Sequence, residues 1–321
     1  MNLYLWLMAA GSALVFALYG LRCAKAGQFP ELRKHAWEAA LLSFVFSVLF
    51  GVVLARIGYA LLMLELDFEM DGIEALSQLL EFENDNVSFF CGSLGVCLGV
   101  LLANRLTRKG SVVIGMDAFA PFGALLVALF RLGELCFGSY GAGAELPAES
   151  PFAFFPFAVR IPVPGSTDYW GWAVCVLSAV FALLWAAVAF LRLRGRNRPG
   201  FLFSLSLFFL ALPQIFCESM RKQGMFWLFV HTEELLCAVV LAAVLFFWLL
   251  RSGHGLPFLR RWAPMGILFL CIGLLVAAEF AIDGKLFDLS PSVCYLFMCA
   301  VLTVTGFVGA AAARRYNTEK Y

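Results

Sequence analysis

The sequence predicts an all-α integral membrane protein. It should be a polytopic helix bundle of about nine transmembrane helices, with the N-terminus outside and the C-terminus cytoplasmic. Three observations predict it. Of the 321 residues, 62% are hydrophobic and 14% charged, with a mean hydropathy of +0.88. A soluble fold cannot bury so much apolar side chain, so lipid must cover it. Apolar runs of about 20 residues, each long enough to cross a bilayer as a helix, recur along the chain. The segments between the runs alternate between basic and acidic.

The runs fall at 2–22, 38–64, 88–104, 112–137, 170–191, 200–217, 227–250, 263–282 and 291–313. No basic stretch precedes the first; Arg22 and Lys25 follow it, which reads as an uncleaved span rather than a signal peptide. Basic residues cluster after the first, third, fifth, seventh and ninth runs, for example Arg33 and Lys34, Arg105 and Arg108, Arg192 and Arg198, Arg260 and Arg261, and Arg314 and Arg315. By the positive-inside rule these segments are cytoplasmic. The opposite loops are acidic: "ELDFEMDGIEALSQLLEFEND", and residues 138–169 with Glu145, Glu149 and Asp168. The first of these has a helical rhythm (Ile73, Leu76, Leu79, Leu80) and suits a short amphipathic helix on the outer surface. Gly92, Gly95 and Gly99 give the third run a surface for close helix contact. Asp117 lies low in the fourth run, ahead of a kinking Pro121. It is either a cap at the inner interface or a functional group. Tyr4, Trp6, Tyr169, Trp170 and Trp172 fit an outer aromatic belt.

Composition also excludes chemistries. Ten cysteines without a C-x-x-C pair argue against a disulfide frame and a zinc site, and read as buried hydrophobes. No metal or cofactor is expected. The net charge of +1 comes from segregated charges and gives no nucleic-acid partner.

The depth of the remaining charges is informative. At about 1.5 Å per residue, Arg56 lies about 27 Å above Glu38, Arg131 about 30 Å above Ser111 and Arg221 about 31 Å above Gly200. Three arginines from three helices thus reach one level near the outer leaflet, with Glu134 and Glu218. His231, Glu233 and Glu234 open the next helix at that level. Either each arginine reaches independently to lipid phosphates, or the layer is a phosphate-binding polar cavity open toward the outer leaflet. Glu279 and Asp283, near the outer end of the eighth run, read as interfacial.

The block Asp117, Ala120-Pro121, Arg131, Gly133, Gly138 and Tyr140-Gly141 resembles the signature segment of the bacterial prolipoprotein diacylglyceryl transferases. That segment runs D-x-x-A-P, then R-x-G-N-F-x-N-G, then Tyr or Trp before Gly. In register with it, "RIGYALL" (Arg56, Gly58, Tyr59) is similar to the family's second helix. "SFFCGSLGV" is similar to its S-F-H-G-G-L-L-G-V, "QIFCESMR" to its R-F-x-x-E-x-x-R, and "HTEELLC" to its T-M-G-Q-L-L-S. The resemblance covers residues 1–250 and implies a seven-helix domain with outer loops 65–87 and 138–169, followed by a two-helix appendage at 251–321. The family's motif histidine falls on Phe90, its motif asparagine on Glu134, and the first arginine of R-F-x-x-E-x-x-R on Gln214. Its His-Pro-x-x-x-Tyr-Glu block is absent.

The resemblance implies a multi-pass protein of the bacterial plasma membrane. Its reaction transfers the diacylglyceryl group of phosphatidylglycerol to the lipobox cysteine of a prolipoprotein signal peptide. That chemistry needs cations on the departing phosphate and a base for the thiol, whose pKa is near 8.5. The expected catalytic residues are Arg131, Glu134, Glu218 and His231. Arg56, Tyr59, Arg131, Gly133 and Arg221 are expected to bind phosphatidylglycerol. His231 either substitutes for the lost histidine or is interfacial. The alternative is a catalytically inactive relative that binds anionic lipid or a signal-peptide helix. A small transporter fits less well, because no inverted half is present.

Overall fold

The computed structural model describes residues 2–26, 30–64, 87–108, 112–161, 168–193, 195, 197–221, 226–227, 230–253, 255–282, 284 and 290–318. Among these, nine helices are long and apolar enough to cross a membrane, as an all-α polytopic bundle requires. They are α1 (Asn2–Ala24), α3 (Ala36–Leu64), α4 (Phe89–Thr107), α5 (Val112–Gly133), α6 (Val174–Arg192), α7 (Phe201–Ser219), α8 (Thr232–Leu250), α9 (Phe258–Ile282) and α10 (Pro291–Thr318). A five-residue helix, α2 (Pro30–Lys34), joins the first two. The amphipathic helix expected in the acidic loop lies outside the described residues.

Two runs are shorter as helices than their apolar length suggested. Residues 170–172, expected as helix, belong to the strand β3 (Tyr169–Trp172). It lies between β1 (Glu145–Leu146) and β2 (Ala158–Ile161) in an antiparallel sheet. The start of the seventh run is likewise strand: β4 (Phe226–Trp227) pairs with β5 (Val230–His231) before α8 starts. Both segments are rich in aromatic residues, which favour a pleated backbone as readily as they favour lipid. Apolar length alone does not separate the two.

Local chemistry sets the helix starts. Ser88 caps α4 by accepting the Cys91 amide at 3.3 Å. The cap of α7 comes from another helix. Asp117 of α5 accepts the amides of Gly200 at 2.6 Å and Phe203 at 2.8 Å. Gly200 turns with φ +82°, where a side chain would be strained. Of the two roles left open for Asp117, the structure shows the cap.

Small residues set the tightest contact. A Cβ at Gly99 of α4 would meet the Ser47 amide nitrogen of α3 at 2.5 Å, and one at Gly95 would reach Gly51 Cα at 2.8 Å. The glycines therefore serve helix packing. Two large cores, beside two smaller clusters, hold the bundle among the described residues. Phe16 and Tyr19 of α1, Ala40 of α3, Val100 of α4 and Phe119 and Phe122 of α5 form one. The other joins Phe208 and Ile215 of α7, Leu241, Leu245 and Trp248 of α8, Leu268 and Leu275 of α9, and Met298 of α10. One basic residue expected in a loop is folded inward: Arg108 is buried and donates to Tyr19 Oη at 3.0 Å and to Asn104 Oδ1 at 2.6 Å.

Candidate active site

The C-terminal ends of α5 and α7 and the N-terminal ends of α4 and α8 meet at one end of the bundle. Each brings a polar side chain inward. Arg131 sits in the last turn of α5, and Glu134 opens the 3-10 helix Glu134–Gly141 that follows. Glu218 ends α7 and Arg221 comes just after it. The backbone of Arg221 pairs with Gly143 in an antiparallel bridge. A Cβ at Gly143 would meet Met220 O at 2.6 Å, so this close approach needs glycine.

The four charges close a ring. Arg131 Nη1 donates to Glu134 Oε1 at 2.5 Å, and Glu134 Oε2 accepts from Arg221 Nη2 at 2.5 Å. Arg221 Nε lies 3.2 Å from Glu218 Oε1, which accepts from Arg131 Nη2 at 2.9 Å. Gln214, one turn earlier on α7, also donates to Glu218 Oε1. The Phe89 ring lies under the Arg131 guanidinium, 3.7 Å from its centroid. Arg131 is 1% exposed and cannot be reaching to lipid. Independent snorkelling, the simpler alternative, is thereby excluded for this residue. The other three ring members are buried as well. Burial weakens the charge of Arg221, but Glu218 and Glu134 outweigh that effect and hold its proton more firmly than usual.

Glu233, in the first turn of α8, extends the network. Glu233 Oε1 accepts from Ser88 Oγ and from the Phe90 amide, both at 3.2 Å, at the start of α4. Its Oε2 lies 3.7 Å from Arg131 Nη2. Glu234, the next residue, is buried, and its Oε2 has no hydrogen-bond partner among the described residues. His231, expected about one turn into the helix, is its buried N-cap residue, near enough to Glu218 to act on it electrostatically.

The structure thus brings together Arg131, Glu134, Glu218 and Arg221, with His231 beside them. Gly133 is buried in the turn that joins Arg131 to Glu134. Arg56 and Tyr59 lie on α3, buried and half-buried. The carbonyl of Ala55, next to Arg56, accepts the Ser88 amide at 3.0 Å, which sets Arg56 beside the start of α4. Arg160, on β2, forms a pair with Asp168 at 2.9 Å.

Two participants were not legible in advance. Gln214 counted as a lost arginine, yet it bonds to the ring. Ser88 carried no role.

Chemically, the ring is a pair of guanidiniums bridged by a carboxylate. Two oxygens of one group contact both cations, the arrangement a phosphodiester also prefers. Among curated proteins, none matches the chain. The prolipoprotein diacylglyceryl transferase family model matches residues 1–250. The chain therefore belongs to the prolipoprotein diacylglyceryl transferase family.

Proposed function

We propose that the protein transfers the diacylglyceryl group of phosphatidylglycerol to the lipobox cysteine of prolipoproteins, in the bacterial plasma membrane. The ring end faces outward in this reading, with the N-terminus outside and the C-terminus cytoplasmic. Residues 1–250 form the catalytic unit, with outer loops 65–87 and 138–169, and residues 251–321 are an added helix pair. The observation that carries the reading is the Glu134 carboxylate held between the guanidiniums of Arg131 and Arg221.

The two non-bridging oxygens of the lipid phosphate take the place of the Glu134 oxygens. The released carboxylate then stands beside the reacting centre and accepts the thiol proton. The thiolate attacks the glyceryl carbon, the carbon–oxygen bond to phosphate breaks, and glycerol phosphate leaves with the electron pair. Arg131 and Arg221 hold the charge that develops on it. Glu218 orients both arginines, and His231 stands near as a second acceptor. Gly133, Arg56 and Tyr59 contribute to headgroup binding from α5 and α3.

One observation favours a second reading, an inactive relative that binds anionic lipid or a signal-peptide helix. The family's motif histidine and arginine positions hold Phe90 and Gln214. The deciding experiment supplies purified protein with phosphatidylglycerol and a lipobox peptide and measures thioether formation. Transfer that requires Arg131 supports the enzyme. Arg131-dependent binding of phosphatidylglycerol without transfer selects the second reading.

A further inference from the structure

Residues 150–159 read "SPFAFFPFAV" and carry no charge. Phe152, Phe154, Phe155 and Phe157 are 46%, 50%, 62% and 48% exposed, although removing phenylalanine surface from water is favourable. Phe157 lies edge-on to Phe152 and Phe154, with centroids 5.8 and 5.4 Å apart, and Phe152 also meets Trp172 at 5.9 Å. The backbone of this loop is largely satisfied from within. The amides of Ala153, Phe154 and Phe157 donate to the carbonyls of Ser150, Phe152 and Phe154 at 3.0, 2.8 and 3.0 Å. The Phe152 amide donates to Ser150 Oγ at 3.3 Å. Pro151 and Pro156 have no amide hydrogen to satisfy. Such a turn gives up few hydrogen bonds to water when it enters the interfacial layer of a membrane.

The start of α6 fixes the level of the loop. Ala173, the residue before α6, donates its amide to the Phe157 carbonyl at 2.8 Å. α6 has 19 residues and is about 28 Å long at about 1.5 Å per residue, close to the roughly 30 Å of a hydrocarbon core. Its first residue therefore lies at the edge of that core, and Phe157 lies there with it. The same end of α6 is tied to the charged ring. Gly143 donates to the Trp172 carbonyl at 2.7 Å, and its backbone bridges to Arg221. We propose that residues 151–157 form a membrane anchor, which inserts its phenylalanines into the leaflet at the ring end, among the lipid glycerol groups and the first carbons of the acyl chains. Apolar rings suit that layer, and charged residues, Glu149 and Arg160, stand on either side of the patch in the sequence. The anchor requires that α6 crosses the bilayer and is independent of the reaction at the ring.

The test uses the full-length protein in phosphatidylcholine nanodiscs, with a fluorinated phenylalanine placed at position 154 or 155 alone. The ring stays aromatic, so folding is not at stake. A third sample labels Phe246, an exposed residue within α8, as a reference for a side chain deep in lipid. The fluorine signal is then recorded with phosphatidylcholine spin-labelled near the headgroup, with the label at the chain end, and with a water-soluble gadolinium chelate. At positions 154 and 155 the headgroup-proximal label should abolish the signal, and the chelate should leave it nearly intact. Position 246 should respond most to the chain-end label. Strong broadening at 154 and 155 by the chelate, with little from either lipid label, overturns the anchor and places the loop in water. If the chelate broadens both signals until a lipobox signal peptide is added, the patch is a peptide-docking surface and the anchor is overturned as well.

Discussion

Arg131 and Glu134 carry the sharpest expectations because both are held in the interior by partners of opposite charge. Replacing Arg131 by Lys keeps the charge but cannot bridge Glu134 and Glu218 as a planar fork does. The loss of a charge-assisted hydrogen bond is worth about 1.5–3 kcal/mol, so transfer should slow by roughly 10- to 150-fold at matched membrane abundance. Arg131→Ala strips two buried carboxylates of a counter-charge. A stability loss of about 3–5 kcal/mol is expected, visible as a lower melting temperature in detergent. Glu134→Gln separates two roles. It removes a competitor for the guanidiniums, so phosphatidylglycerol should bind more tightly. It also removes the base, so the rate should fall. A lower KM together with a lower kcat is the expected pattern, and a fall in kcat at unchanged KM would mean that Glu134 does not occupy the phosphate position. Asp117 lies outside this chemistry. Asp117→Ala should cost about 0.5–2 kcal/mol of stability through the lost cap on α7 and leave KM alone.

At the scale of elements, the α3–α4 contact is the least forgiving. Gly99 faces backbone atoms of Phe46 and Ser47, which cannot rotate away as a side chain can. Gly99→Val should cost about 3 kcal/mol or more, read as a drop in folded yield on gel filtration, whereas Gly266→Val, with open space around it, should be tolerated. The same elements show what a sequence reveals. Helix rise is fixed, so depth is legible: Arg131, Glu134, Glu218 and Arg221 could be placed at one level from spacing alone. The direction a residue faces around its helix is set by packing against helices far away in the chain. Asp117 kept two roles open because its partner, the start of α7, lies 83 residues along the chain. The strands β3 and β5 read as helix in the sequence because aromatic-rich apolar segments satisfy both patterns.

For the whole molecule, charge alternation makes a simple statement about orientation. A reporter fused after Tyr321 should be cytoplasmic and one inserted near Glu145 external; the reverse at either point removes the basis for placing the ring at the outer leaflet. The helix pair beyond residue 250 has a further consequence. Phe208 and Ile215 of α7, and Leu241 and Leu245 of α8, are buried against Leu268, Leu275 and Met298 rather than turned to lipid. The two helices that carry Glu218, Glu233 and Glu234 therefore have one flank sealed by protein. Both substrates of the proposed reaction are membrane-borne and must arrive sideways through the bilayer. With that flank shut, lipid and peptide share the remaining perimeter, so the order in which they enter and leave becomes a property of a single side of the protein.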